Sequence, residues 1–132
     1  MVKFAYRFAL LALARVGMSQ VAGCNPQSSG CVFYLNQYLV ALGDGGYTCA
    51  ALRSDCTVID GASADPCDPG TVLSGLGQGD VVVGSRGGSG DQIYADFTYN
   101  NVGYGLGNNH NIVDCSHDLS ECTDLFIYFD CS

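Results

Sequence analysis

The chain is 132 residues long, which fits one domain, and it carries five basic residues against 13 acidic ones, a formal net charge of −8. An acidic surface repels phosphate backbones and anionic lipids. The composition therefore excludes broad nucleic-acid binding and a polybasic membrane anchor.

Residues 1–23 have the pattern of a secretory signal peptide. Basic residues occur within 1–7, a short apolar run spans 8–14, and small and polar residues follow as far as Gly23. Arg15 interrupts the apolar run, which is therefore shorter than the roughly 20 apolar residues that a membrane span needs. We predict a secreted, extracellular protein.

The position of the cleavage site decides the composition of the mature chain. Cleavage after Gly23 fits the small-residue pattern, and cleavage after Ser19 fits it nearly as well. Cleavage after Gly23 predicts a single cysteine-rich domain over 24–132, with 109 residues. This domain keeps two arginines, no lysine and all 13 acidic residues, so its formal net charge is −11.

All eight cysteines lie after the predicted signal peptide. An even number of cysteines in a short secreted chain predicts a disulfide framework. The residues are Cys24, Cys31, Cys49, Cys56, Cys67, Cys115, Cys122 and Cys131. Four bridges allow roughly a hundred pairings, and the spacing does not choose among them.

Two other interpretations of the cysteines are available. Residues 21–24 resemble a bacterial lipobox, which would lipidate Cys24 and leave an odd number of cysteines to pair. A zinc site is the weaker interpretation, because the chain has no Cys-x-x-Cys pair and His110 and His117 lack the spacing of a zinc finger. We expect no metal and no cofactor.

The first structural element of the mature chain is a predicted helix. The apolar spacing predicts it over 31–42, and Gly43 ends it. Its apolar face would consist of Val32, Leu35, Leu39 and Leu42. We expect a further helical turn over 49–56 and a short strand over 57–59.

Residues 60–70 predict a loop, because they hold two of the chain's three prolines. The loop also contains Asp60, Asp65 and Asp68, and Cys67 ties it down. Three nearby carboxylates could hold a hard cation, but the spacing matches no calcium loop. A solvated acidic loop is the other interpretation.

The second half of the chain predicts an antiparallel sheet. Strands are expected over 80–83, 91–99, 102–106, 112–115 and 125–129, with a flexible connection over 86–90 and turns at 100–101 and 107–111. In the strand over 91–99, alternate residues should face the core, namely Ile93, Ala95, Phe97 and Tyr99. The expected fold class is α+β, with one N-terminal helix packed on a twisted antiparallel sheet and held by disulfides.

One pair of residues suggests catalysis. His117 and Glu121, the sole glutamate, are four residues apart and would share a face of a helical turn. Such a pair could divide the acid and base roles in cleaving a phosphodiester, with Arg86 as the cation for the transition state. The alternative is a solvated pair beside Cys115 and Cys122.

The tyrosines suggest a binding surface. Seven remain in the mature chain, and rigid aromatic side chains make contact area at a low entropic cost. We name Tyr94, Tyr99 and Tyr104 as its candidates. The alternative is that most tyrosines fill a small core.

Residues 79–115 resemble the C-terminal half of the small, secreted, guanyl-specific ribonucleases of fungi. The matching pieces are Gly79-Asp80-Val81, the run Gly87-Gly88-Ser89-Gly90-Asp91, and Asn111-Ile112-Val113-Asp114-Cys115. The resemblance implies that an early helix precedes the sheet. It also implies a catalytic arginine after Asp91, a histidine well before the final cysteine and a glutamate before Gly79.

The chain departs from that family at each implied catalytic position. Gln92 stands where the arginine belongs, Tyr104 is near the place of the histidine, and residues 71–74, which include Val72, contain no glutamate. The resemblance therefore implies a ribonuclease-like scaffold that has lost catalysis, similar to secreted effectors of plant-pathogenic fungi.

These observations favour a secreted, monomeric, non-enzymatic effector or toxin-like protein. Its partner would be a host or competitor protein or surface. An active extracellular ribonuclease that uses His117, Glu121 and Arg86 is the first alternative. A killer-toxin-like antimicrobial protein is the second, although proteins that attack anionic membranes are usually cationic.

Overall fold

The computed structural model describes residues 20–39, 45–117 and 120–132, and within them the chain is all-β. The strands are β1 (Cys31–Leu39), β2 (Gly45–Arg53), β3 (Val58–Ala64), β4 (Val72–Leu73), β5 (Val81–Gly87), β6 (Tyr94–Tyr99), β7 (Val102–Tyr104), β8 (His110–Asp114) and β9 (Glu121–Phe129). A 3₁₀ turn, Gly90–Gln92, precedes β6. The strands form a five-stranded sheet in the order β3-β2-β1-β9-β8 and a four-stranded sheet in the order β4-β5-β6-β7. Every pairing is antiparallel.

The predicted α+β fold is wrong, because the described residues contain no α-helix. The segment predicted as the N-terminal helix is β1, which pairs with β2 and β9 along its whole length. Residues Cys31 to Gln37 are all buried, so both faces of the strand are covered. A short apolar run that is buried on both faces has no strand periodicity, and apolar residues can then fall at helical spacing by coincidence. The end predicted for this helix, 40–43, lies outside the described residues.

The helical turn predicted over 49–56 is also wrong, because most of it belongs to β2. The short strand expected at 57–59 is present as β3 but extends to Ala64, so the irregular loop begins only after that residue. The connection predicted as flexible starts later than expected, since β5 runs to Gly87.

Strands are present at the places predicted for the second half, although with different bounds, but they do not form one sheet: β5, β6 and β7 belong to the four-stranded sheet, and β8 and β9 to the five-stranded one. Buried and exposed residues alternate along β6, with Ala95, Phe97 and Tyr99 inside, and Ile93 is buried just before the strand. Asn100 and Asn101 form the predicted turn, and both have positive φ, as a tight hairpin turn requires.

The main core lies between the two sheets. Phe33 of β1 stacks on Phe97 of β6 with 4.6 Å between the ring centroids, and Phe129 of β9 meets the same ring edge-on at 5.0 Å. Leucine, isoleucine and valine side chains from both sheets complete this core. The two sheets therefore form a sandwich with one shared apolar interior.

A second apolar cluster covers the outer face of the five-stranded sheet. Its members are Val21, Val32, Tyr34, Ala50, Leu52, Phe126 and Tyr128. The N-terminal cap, which we define as residues 20–25, lies against this cluster. The two central strands of this sheet, β1 and β9, are therefore buried on both faces.

All eight cysteines are paired, which confirms the predicted disulfide framework. The bridges are Cys24–Cys56, Cys31–Cys131, Cys49–Cys67 and Cys115–Cys122. The first fastens the N-terminal cap to the turn after β2. The second joins the start of β1 to the C-terminus across 100 residues of sequence.

Candidate functional site

The outer face of the four-stranded sheet is exposed, and we call it the open face. Val72 of β4, Val82 of β5 and Thr98 of β6 form a row across three strands, because Val82 is the register partner of both of the others. Val72 is 52% exposed and Val82 37%, and Tyr94, further along β6 on the same face, is 44% exposed. Three large apolar side chains thus meet solvent on one surface.

Glycines make the open face flat around Tyr94. The ring of Tyr94 lies over its register partner Gly87, and a Cβ at Gly87 would come within 2.7–2.9 Å of that ring. Any side chain at this position would therefore displace the ring. Nothing lies within 4 Å of the Cβ position at Gly103, next to Thr98, so the face is open there as well.

One carboxylate is held on the open face by the bulge in β5. Asp96 accepts a hydrogen bond from the backbone N–H of Ser85 at 3.1 Å and a second from the Ser85 hydroxyl. The side chain of Asp96 occupies the space that a Cβ at Gly84 would need. The face therefore combines apolar area with a fixed negative charge.

Arg86 lies near the end of β5 and makes several contacts within the fold. Its Nε donates to the carbonyl oxygen of Cys67 at 2.6 Å, and one terminal nitrogen forms an ion pair with Asp68 at 3.0 Å. Its guanidinium also stacks over the ring of Tyr47, 4.2 Å from the centroid. These contacts join β2, β5 and the loop after β3, so Arg86 has a structural role.

His117 and Glu121 lie at the hairpin that connects β8 and β9. The backbone of His117 pairs with that of Ser120, and Glu121 is the first residue of β9. Neither His117 nor Glu121 is helical in the structure, and residues 118–119 between them lie outside the described part of the chain. Arg86 binds Cys67 and Asp68 in the loop after β3.

The positions where the ribonuclease resemblance would place catalytic residues are not on one side of the four-stranded sheet. Val72 faces solvent on the open face, whereas Tyr104 packs inward against Phe97 and Phe129. Gln92 is exposed in the 3₁₀ turn before β6. These three side chains do not converge on one cleft.

The three tyrosines named for a binding surface have different environments. Tyr99 is 2% exposed and belongs to the core, and Tyr104 is partly buried with its hydroxyl directed at the carbonyl oxygen of Asp130. Alternation along β6 explains the difference, because Tyr99 has the inward parity and Tyr94 the outward one. Tyr94 is the one of the three that can contribute broad contact area.

A buried polar cluster lies on the outer side of the five-stranded sheet. The carboxylate of Asp124 is fully buried and accepts hydrogen bonds from Asn36 at 2.7 Å and from the Tyr34 hydroxyl at 3.0 Å. Asp124 lies beside the Cys115–Cys122 bridge, and these three residues are the only group of metal-type ligands within the described residues. Disulfide sulfurs are not thiolate ligands, so the cluster is suited to structural hydrogen bonding.

The three aspartates of the predicted acidic loop are not gathered around one point. Asp68 pairs with Arg86, and Asp60 belongs to β3. No metal-type cluster in the described ranges contains any of the three. The arrangement is that of a solvated acidic surface.

Fold and surface together define a disulfide-stabilised antiparallel β-sandwich with one bare sheet face. Comparison with known protein families, curated proteins and solved structures finds no match for this chain. Among the residues that the structure describes, no helix has the length and apolar character to cross a bilayer.

Sequence reasoning missed Val72 and Val82 as surface residues. The run 81–83 consists of three valines, so it shows no alternation by residue type. The signal that could have found Val82 is the parity of the strand, because Val81 and Val83 are buried in the core and the residue between them must face the other side.

Proposed function

We propose that this protein is a secreted, non-enzymatic binding protein of the effector or toxin-like type, and that the open face is its contact surface. The partner that we propose is a host or competitor protein with a basic surface. The observation that carries the proposal is the concentration of exposed apolar side chains on one rigid, uncovered sheet face. Four disulfides in a small cysteine-rich domain fit an extracellular protein of this kind.

The open face has the properties of a protein-contact surface. Val72, Val82 and Tyr94 supply apolar and aromatic area, and such residues form the centre of protein interfaces. Their backbone is part of a hydrogen-bonded sheet, so little conformational freedom would be lost on binding.

The charge of the protein favours a basic partner. The chain after Ser19 has two arginines against 13 acidic residues, and both arginines form hydrogen bonds within the fold. Asp96 holds one of the negative charges on the open face itself. Opposite charge on a partner accelerates association, and salt weakens that effect.

The arrangement of the candidate catalytic residues supports a function without catalysis. Cleavage of RNA needs a base, an acid and a cation around one phosphate. Arg86 is committed to contacts with Cys67 and Asp68. The proposal therefore assigns no catalytic role to these three residues.

The test uses a pair of matched variants. Val82 on the open face and Ile112 on the five-stranded sheet are 37% and 36% exposed, so Val82→Asp and Ile112→Asp add the same charge at equally exposed sites. Wild type and both variants are immobilised and incubated with host-cell extract. A protein retained by wild type and by Ile112→Asp is then purified and titrated directly.

We expect Val82→Asp to weaken that titrated affinity at least about tenfold, which corresponds to roughly 1.4 kcal/mol, because a carboxylate at the apolar centre of the contact loses its hydration on binding. Higher salt should weaken the binding of wild type. Equal affinity for the two variants would reject the open face as the contact surface. Cleavage of single-stranded RNA by wild type, with none by a His117→Ala, Glu121→Ala double variant, would reject the non-enzymatic function.

A further inference from the structure

Gln20 and Val21 belong to the folded domain, although cleavage after Gly23 would assign them to the signal peptide. Val21 is 8% exposed and packs in the cluster on the outer face of the five-stranded sheet. Its neighbours there include Val32, Phe126 and Tyr128. A valine with this degree of burial contributes to stability in proportion to the apolar area that it removes from water.

The backbone of this segment is also bonded to the domain. The N–H of Val21 donates to the carbonyl oxygen of Cys56 at 2.9 Å, and Gln20 forms an antiparallel bridge with Thr57. The side-chain amide of Gln20 donates to the carbonyl oxygen of Asp55 at 2.9 Å. Gln20 and Val21 are therefore attached to the turn between β2 and β3.

Gly23 fits closely against the same sheet. A Cβ at this position would lie 3.2–3.4 Å from Val113 and Phe126, and its φ of +91° is one that glycine adopts readily. Its carbonyl oxygen accepts a hydrogen bond from the side-chain amide of Asn111 at 3.1 Å. Cleavage after Gly23 would remove all of these contacts and uncover Phe126.

We propose that processing takes place between Ser19 and Gln20, so that the mature chain begins at Gln20 and retains the whole N-terminal cap. The proposal rests on the secretion part of the proposed function. Gly17 and Ser19 then occupy the two positions where signal peptidase requires small residues. Water hydrolyses the peptide bond, which leaves a carboxylate on Ser19 and a new amino group on Gln20.

This cleavage site is consistent with the pairing of Cys24. A lipoprotein signal would place the cut after Gly23 and attach a lipid to the Cys24 sulfur. That sulfur is bonded to Cys56 in the structure, and the bridge holds the N-terminal cap on the sheet. The disulfide and the lipid exclude each other at this residue.

The first test is the N-terminus of the secreted protein. The full chain is expressed in a eukaryotic secretion host, and the intact mass and N-terminal sequence of the exported protein are determined. A chain that begins at Gln20, with or without the loss of ammonia that accompanies cyclisation of an N-terminal glutamine, supports the proposal. An exported chain that begins at Cys24 overturns the cleavage site alone, whereas a cell-retained chain that keeps Met1 overturns secretion.

The second test measures what the retained residues contribute. Two chains, beginning at Gln20 and at Cys24, are folded under oxidising conditions and their thermal unfolding midpoints are compared. We expect the shorter chain to unfold at least about 4 °C lower. Equal midpoints would overturn the structural argument for the cut after Ser19.

A matched pair of substitutions in the longer chain separates packing from chain length. Val21→Asp places a charge in the buried cluster and should lower the midpoint by a similar amount or more. Ala22→Asp adds the same charge at an exposed neighbour and should leave the midpoint nearly unchanged. Equal effects of the two substitutions would show that Val21 does not anchor the N-terminal cap.

Discussion

The two sheets share antiparallel pairing but differ in what lies on their outer faces. The five-stranded sheet has the core on one side and the N-terminal cap with its apolar cluster on the other, and seven consecutive residues are buried in both β1 and β9. The four-stranded sheet is covered only by the core, and burial along β6 alternates residue by residue. The difference shows that the pattern of apolar residues along a strand depends on whether one or both faces of its sheet are covered, and not on how the strands pair.

The two sheets also differ in the environment of their acidic residues. The covered sheet holds the buried polar cluster around Asp124, which needs partners on every side because a buried carboxylate is costly without them. The open face places its one fixed carboxylate, Asp96, where solvent or a binding partner can reach it. The buried polar cluster thus lies on one sheet and the proposed binding surface on the other.

The largest expected effect compares the two faces of β6. Phe97→Ala should lower the free energy of unfolding by about 3–5 kcal/mol, because its ring contacts Phe33, Tyr104 and Phe129 in the core. Thr98→Ala, one residue further on the open face, should cost less than about 1 kcal/mol. Denaturant unfolding measures both. A loss below 1 kcal/mol for Phe97→Ala would show that the inward face of β6 is not a packed core.

A smaller effect is expected from releasing the N-terminal cap from the five-stranded sheet. Replacing Cys24 and Cys56 by alanine removes a bridge across 32 residues of sequence, and chain entropy alone predicts a loss of about 3–4 kcal/mol. The same replacement at Cys115 and Cys122 opens a separation of only seven residues and should cost about 2–3 kcal/mol. Urea unfolding of both double variants measures the difference.

Loss of the first bridge should also expose the outer face of the covered sheet. Amide hydrogen exchange on β1 and β9 should rise in the Cys24, Cys56 variant, while exchange on β6 should change little. Equal increases on all three strands would mean that the N-terminal cap has no local role. Unchanged exchange would mean that it stays in place without the bridge.

The contrast between the sheets explains which parts of the fold the sequence predicts. Along β6 the alternation of Ala95, Phe97 and Tyr99 with polar residues determines both the strand and its inward face, and both predictions are confirmed. The run that forms β1 contains no such alternation, because the N-terminal cap covers its second face. That cover comes from residues 20–25, which lie outside the strand, so the periodicity within 31–42 does not reveal it.

The candidate site, like the fold, could be predicted only where it depends on a local sequence pattern. Tyr94 could be selected from the sequence because aromatic side chains suit contact surfaces, and its outward parity follows from the strand that was predicted. The role of Arg86 could not be predicted, because its partners Cys67 and Asp68 lie in a loop 18–19 residues earlier. The position of the open face depends on which sheet remains uncovered, and that is a property of the whole topology.

The smallest effect that we predict concerns the pH dependence of stability. It tests whether the N-terminal cap buries the hydroxyl of Tyr128. Tyr128 lies in the outer cluster of the covered sheet, where its oxygen accepts from the Asn25 N–H at 2.9 Å and its hydroxyl donates to Asn111. Burial raises the pKa of Tyr128 above the usual 10.0, and the hydrogen bond from Asn25 offsets part of that rise. The unfolded chain therefore releases this proton at lower pH than the folded protein does.

Stability linked to Tyr128 is consequently complete below pH 10 and is lost as the pH rises through the higher folded-state pKa. Tyr128→Phe should cost about 0.5–1.5 kcal/mol near neutral pH through the lost hydrogen bonds, and this deficit should shrink above pH 10. Tyr94→Phe, which removes a hydroxyl from an exposed ring on the open face, is the matched control. Urea unfolding between pH 7 and pH 11 measures all three proteins. A deficit for Tyr128→Phe that stays constant across this range would show that the phenol is not held in a buried environment, and the N-terminal cap would then not seal the sheet at Asn25.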